Sequence, residues 1–384
     1  MSNLSINITE NGTTTLATSG KYCDRNVDIV VDVASSGGGG EVEPIVLTGD
    51  CSYACSGAMA SKYIELFGDT ISTDNLGNIA YMFSNYKNDT IPFELNGDTT
   101  NYKSCNNLFS NALSLKEVPK MNNFYPSDIG SLFNYCRSLR VIPYSVFNNW
   151  NFSRLQSYGY ATTTSIFANC FSLREYPNEL LQELKNTNAT YSYVFYRYCF
   201  QNCYSLDEVV NLPVITSKTY DGGTSDTYSL FNNMLVYCGR LKRFTFEKNE
   251  DGTSIVAPWS NQILDLTKNV GWSYTEDNII NNGYHSGITI DKFVQDDEDY
   301  QALKNDPDWF TINSYYSRYN KTSALETIRS LPNTTNQVNV NAGKSNTIKF
   351  YGNAGKNTDG GAINTLTDSE IMIASGKGWN VALS

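Results

Sequence analysis

Phe133-Asn134-Tyr135-Cys136-Arg137-Ser138-Leu139-Arg140-Val141-Ile142-Pro143 is restated further along as Phe167-Ala168-Asn169-Cys170-Phe171-Ser172-Leu173-Arg174-Glu175-Tyr176-Pro177. The common phrase is an aromatic residue, two residues, Cys, two residues, Leu, two residues, an apolar residue and Pro. Phe200-Gln201-Asn202-Cys203-Tyr204-Ser205-Leu206-Asp207-Glu208-Val209 is a third copy, and Phe109-Ser110-Asn111-Ala112-Leu113-Ser114-Leu115-Lys116-Glu117-Val118-Pro119 a fourth with Ala in the cysteine slot. A later copy keeps Cys238, Leu241 and Phe244, and a degenerate opener runs from Phe83 through Tyr86 to Ile91-Pro92. The leucines fall at 115, 139, 173, 206 and 241. Self-similarity at such a period belongs to proteins made of stacked units.

The physical reading follows from what one unit cannot do alone. Leu-x-x-apolar supplies a short strand, and a returning segment carries the Phe; neither buries its apolar side by itself. Stacking the units lines parallel strands into one sheet and joins Phe, Cys and Leu into a continuous core. The expected core is therefore Phe109, Leu115, Phe133, Cys136, Leu139, Phe167, Cys170, Leu173, Phe200, Cys203, Leu206, Cys238 and Leu241. A small side chain at the cysteine slot suits a tight turn between layers. The unequal steps place insertions on one face, with Tyr- and Thr-rich candidates at 156–164, 186–198 and 216–228.

This phrase resembles the leucine-rich repeats of the BspA (Treponema pallidum) type, with their aromatic, Asn-Cys, Ser-Leu and Pro positions. The match covers roughly residues 78–246 and departs at Tyr86 and Ala112, and the units after Leu139 are longer than the family's. The resemblance implies an α/β repeat, a leucine-rich-repeat solenoid. Its expected divisions are a small β anchoring module at 1–33, a Gly/Ser linker at 34–43 and an N-terminal cap at 44–77. The repeats then occupy 78–275, and 276–384 hold C-terminal repeats and an α/β cap.

The ends carry their own signals. Leu4, Ile6 and Ile8 alternate with polar residues, Glu10-Asn11-Gly12 marks a turn, and Val27, Ile29, Val31 and Val33 alternate again. This predicts paired strands around a turn-rich middle. Ala34 to Gly40 is a flexible tether. The apolar run Met59 to Phe67 reads as a short helix or strand. The segment from Ile8 to Asp28 is similar to short N-terminal modules of gut bacteriophage tail and other virion proteins. That likeness implies attachment to other virion proteins through residues 1–33. At the C-terminal end, Ser323-x-x-Glu326 and Thr367-x-x-Glu370 match capping boxes. Ala324, Leu325, Ile328 and Leu331 predict a helix ending at Pro332, Thr347 to Phe350 a strand, and Ile371 to Ala374 a second helix stopping at Gly376 or Gly378. This closing unit also looks like that of phage repeat proteins, and Trp379 reads as a packing anchor.

Composition narrows the function. Lys+Arg total 28 against 39 Asp+Glu, for a net charge of −11, and no basic cluster is present to track phosphates, which argues against a nucleic-acid partner. Charged residues are only 17%, below the roughly 25% of ordinary soluble chains. Asn, Ser, Thr and the 27 tyrosines fill the place, a surface suited to glycan or protein contact. No apolar run reaches membrane-spanning length, and the opening residues lack a secretory signal's pattern. Nine cysteines with a single histidine, His285, form neither a disulfide framework nor a zinc site.

Catalytic signals fail one by one. His285 sits in a loop context without a partner nearby, Gly343-Lys344-Ser345 lacks the earlier glycine of a phosphate loop because position 338 is Val, and Asp296 to Asp299 lack calcium-loop spacing. No cofactor or metal is implied. The reading is a non-enzymatic bacteriophage virion protein, a tail, fibre or surface component assembled in the host cytoplasm, that presents its repeat surface to a bacterial surface glycan or protein. Self-association into a homo-oligomer is compatible with it. A virion-borne glycan-degrading enzyme and a bacterial adhesin of the same repeat type remain alternatives. If the strand face makes contact, the residues next to the inward leucines carry it: Glu117, Arg140, Glu175, Glu208 and Arg243.

Overall fold

The computed structural model describes residues 3–10, 13–21, 28–33, 45–47, 49–57, 71–72, 76–97, 103–155, 163–185, 195–216, 220–221, 230–238, 241–266, 319, 321–335, 345–350 and 366–383. His285, the acidic run at 296–299, the tether, the segment 59–67 and most of the three inserts lie outside them. Among the described residues, parallel strands in small sheets are accompanied by few helices, and no helix is long and apolar enough to cross a membrane.

The repeated phrase builds a turn segment whose two ends are left-handed. The pairs are Tyr53 and Gly57, Tyr81 and Asn85, Asn107 and Asn111, Ser131 and Tyr135, Ser165 and Asn169, Tyr198 and Asn202, and Asn233 and Tyr237. Asn recurs because its short polar side chain tolerates this region. Within a segment the amides alternate in use. In the segment around Phe109, the N–H groups of Cys105, Asn107, Phe109 and Asn111 donate to Asp128, Gly130, Leu132 and Asn134 of the next segment. Those of Leu108, Ser110 and Ala112 bond back to the third residue before them. The same scheme ties 51–57 to 78–84, so part of the expected N-terminal cap is another segment of this build.

Stacking brings like side chains together. Phe83, Phe109, Phe133, Phe167 and Phe200 form one column, with centroids 5.7, 5.4, 6.0 and 5.6 Å apart and near-parallel planes. Every expected core residue of the described repeat is buried. The cysteine slot does more than stay small. The thiols of Cys136, Cys170 and Cys203 each donate to the carbonyl of the preceding unit's Phe at 3.1 Å, and Cys238 does so at 3.0 Å. That carbonyl also accepts the amide of its own segment's slot residue, so both its lone pairs are used.

The single sheet expected along the leucines is instead several small ones. In chain order, β1 (Asn3–Glu10), β2 (Thr13–Lys21) and β3 (Asp28–Val33) form the N-terminal module. Its order is β2-β1-β3, with β1 antiparallel to β2 and parallel to β3. The middle read as turn-rich is thus a full strand, since Thr supports strands as well as turns. β4 (Ile45–Val46) pairs with β5 (Ile71–Ser72). β6 (Leu95–Asn96), β8 (Met121–Asn122) and β10 (Phe147–Asn148) align in parallel on the far side of the Pro positions, flanked by β7 (Lys103–Ser104) on β9 (Pro126–Asp128). After Pro177 the chain forms α1 (Asn178–Lys185) in place of such a strand, because Leu180, Leu181 and Leu184 bury one helical face.

Only late in the chain do the residues after the leucines form continuous strands, β11 (Glu208–Leu212) on β13 (Arg243–Phe246). At Val141 and Glu175 the pairing is a single parallel bridge, and at Lys116 and Glu117 the amides bond to the Asp89 carbonyl. β12 (Tyr220–Asp221) pairs with β14 (Trp259–Ser260), and β15 (Ile263–Asp265), β16 (Asn346–Phe350) and β17 (Trp379–Leu383) make a last parallel sheet.

Among the described residues two helices lie toward the end, α2 (Lys321–Ser330) and α3 (Asp368–Ser375). The Thr367 capping box forms as expected, with both reciprocal bonds to Glu370. The Ser323 box does not: α2 already begins at Lys321, so Ser323 is interior and Glu326 turns to other work. Trp379 is a packing anchor, 1% exposed, with its indole N–H on the Pro332 carbonyl.

Candidate functional site

Position by position, the exposed row two residues beyond each leucine is Glu117, Val141, Glu175, Glu208 and Arg243. Parallel pairing sets Val141 against Glu175 and Glu208 against Arg243. Arg140 therefore stands one place out of register with the other four expected contact residues, and Val141, 42% exposed, holds its place. Counting two residues from Leu139 would have found it. Arg140 instead shares a row with Lys116, Arg174, Asp207 and Lys242, and its carbonyl accepts the amides of Arg174 and Glu175.

The row ends at a cluster that short-range sequence reasoning missed. Arg243 donates from Nε to Glu326 Oε2 at 2.9 Å and from Nη2 to Glu326 Oε1 at 2.6 Å, while Nη1 donates to Glu208 Oε2 at 3.0 Å. The paired hydrogen bonds hold the Glu326 carboxyl below its ordinary range and raise the guanidinium of Arg243. Glu326 arrives from α2, far along the chain. Nothing near either residue in sequence signals the pairing.

Around this cluster lies a cleft of about 420 Å³ between β13 and α2. Thr245, Phe246 and Ser330 line it, joined by Asn211, Glu247 and Lys248. Several lining groups are committed to structure. The Thr245 hydroxyl accepts the Asn211 amide N–H, and Ser330 Oγ accepts from the Phe246 amide. Glu247 accepts Lys185 Nζ at 2.7 Å, Gln182 Nε2 at 2.9 Å and the Val214 amide at 2.7 Å, which fastens α1 to the end of β13. The Asn211 side-chain amide and the Lys248 ammonium are exposed and make no such bond among the described residues.

The tyrosines divide between two roles. Tyr86, Tyr196 and Tyr319 are buried. Tyr53 and Tyr81 stack at 4.7 Å on consecutive segments, with Tyr53 41% exposed. The guanidinium of Arg197 lies 4.9 Å from the Tyr198 ring centroid. Eight cysteines are described, and all are buried. Burial raises their thiols, to about 12 at Cys51 and Cys238 and higher elsewhere, which removes them as nucleophiles at neutral pH. No protein-family model, curated protein or solved structure matches the chain.

Proposed function

We propose that the chain is a structural, host-contact component of a bacteriophage particle, folded as a leucine-rich-repeat solenoid of the BspA type. The stack of like segments is the observation that carries the reading. A scaffold whose backbone hydrogen bonds, Phe column and thiol ladder run from unit to unit is stiff in one direction and repeats its surface at each step. Such a build suits display of side chains to a partner better than enclosure of a reaction. The β1–β3 module ahead of the tether supports attachment at the N-terminal end, where a three-stranded sheet this small gains stability by docking.

Proteomic analysis of purified intact particles, with antibody labelling to locate the chain, tests the assignment. Stoichiometric presence on the particle is the expected result. Absence from particles produced by the same cells would refute it. Incubation with host capsule is expected to leave the glycan at full length; shortened glycan would establish the depolymerase alternative.

A further inference from the structure

We infer that the cleft between β13 and α2 is a binding site for a neutral, hydroxyl-rich ligand, a saccharide ring of a surface glycan. This rests on the host-contact reading and names the ligand class for one place on that surface. The volume of about 420 Å³ falls in the range of small-ligand pockets, roughly 300–1,000 Å³, and accommodates one or two sugar rings.

Charge selects against ions. The lining holds Arg243 and Lys248 against Glu247 and Glu326, two charges of each sign, and Arg243 and Glu247 are already matched by Glu208, Glu326 and Lys185, so the cleft favours an ion of neither sign. A ligand that both donates and accepts, without net charge, fits that balance.

Unused valences supply its partners. A guanidinium carries five N–H donors, and the pairs to Glu326 and Glu208 occupy one each on Nε, Nη1 and Nη2, leaving one on each terminal nitrogen. Each Glu326 oxygen accepts one of these bonds and retains a lone pair. The Asn211 amide and the Lys248 ammonium add free donors and one free acceptor. Because Arg243 and Glu326 hold each other in plane, little further side-chain freedom is lost when a vicinal diol docks.

The test is titration of the full chain with glucose, galactose, mannose and N-acetylglucosamine, and with glucuronate as the charged comparison. Saturation-transfer NMR and calorimetry supply the readout. At least one neutral sugar is expected to bind, more tightly than glucuronate. Asn211→Gly, which keeps the left-handed backbone of that position, and Lys248→Ala should each weaken it at least tenfold. Both side chains are exposed, and unchanged thermal melts confirm that the variants fold. Failure of every neutral sugar to bind, affinity unchanged in both variants, or preference for glucuronate overturns the inference. A host-cell binding assay separates the two claims. Equal cell binding by wild type and by the Asn211→Gly/Lys248→Ala double variant leaves host contact standing and removes the cleft from it. Sugar binding lost in the variants, without cell binding by wild type, does the reverse.

Discussion

Thr327→Val isolates the job of α2 at the edge of β13. Thr327 is fully buried, and its hydroxyl lies 2.6 Å from the Phe244 carbonyl and 2.9 Å from the Ser323 carbonyl of its own helix. One hydroxyl hydrogen serves one of these at a time, and the Ser323 carbonyl sits within the helix, where backbone donors are at hand. The carbonyl of Phe244 faces α2 and depends on the hydroxyl. Valine keeps the branched shape while removing the donor, so the loss is that of a buried carbonyl left unpaired, about 1–3 kcal/mol. Thr322→Val, on an exposed position of the same helix, is the control and should change stability by less than about 0.5 kcal/mol. Urea midpoints followed by tryptophan fluorescence give the magnitude. Hydrogen exchange at the Phe246 amide, which donates to Ser330 Oγ at 3.0 Å, reports the edge itself and should accelerate in Thr327→Val alone. Equal midpoints and equal exchange in the two variants would refute the claim that α2 closes this edge with its hydroxyls.

Leu173→Ala, at a fully buried leucine, should cost about 2–5 kcal/mol as a core cavity, read as a shift in the urea midpoint. In a Cys23→Ser background, the eight buried thiols should resist a disulfide reagent at pH 8 and all react once unfolded in guanidinium; rapid native reaction at Cys136, Cys170 or Cys203 would contradict the ladder. Lys377 donates to the Arg329 carbonyl at 2.6 Å and the Ile328 carbonyl at 3.3 Å, and burial, helped by Lys248, lowers it from 10.5 to about 8. Its folded pKa lies below its unfolded one, so between pH 8 and 10.5 the unfolded chain binds more protons. This contribution to stability is therefore absent below about pH 8 and grows as pH rises toward 10.5. The difference in melting temperature between wild type and Lys377→Met should widen in favour of wild type across that window, and a flat difference would refute it.

Parallel strands, buried Phe, Cys and Leu positions, and the helix–strand–helix close were legible because each rests on spacing inside one unit. What one unit cannot state is what the next one supplies. The Cys170 slot reads as small; that its thiol bonds the Phe133 carbonyl, 37 residues earlier, emerges only from stacking. Thr-rich β2 reads as turn because Thr serves both states, and its register against β1 decides. The exposed row two places after each leucine was legible up to one residue, since charge drew attention to Arg140 where register selects Val141. The cleft was not legible, because Glu326 and Ser330 come from a helix whose apolar pattern accounts for its packing face and gives no sign of Arg243.

Buried polar side chains mark where regular stacking gives way. Inside the stack many are serines that repeat with the unit, such as Ser138 and Ser205, each donating to the carbonyl at the same place one unit back, with Asn122, Arg137, Thr163 and Asn169 buried beside them. Toward the C-terminal end they are unique: Gln262, Thr327, Ser330, Thr334 and Asn346, all at 2% exposure or less. Each takes a valence that another segment's backbone would have filled. Gln262 Oε1 accepts the Leu230 amide at 2.8 Å, and Asn346 Oδ1 accepts the Gln262 amide at 2.7 Å. Thr334 Oγ1 donates to the Lys377 carbonyl at 2.9 Å. A parallel edge offers N–H and C=O groups in alternation, so a closing element must both accept and donate. Hydroxyls and side-chain amides do both, whereas apolar side chains would leave the edge unpaired at a cost of about 1–3 kcal/mol per group. By that reasoning α2 could not be exchanged for a helix of equal apolar pattern. Its Thr327 and Ser330, the fourth-last and last residues of the helix, are what convert a packed helix into the terminus of the sheet.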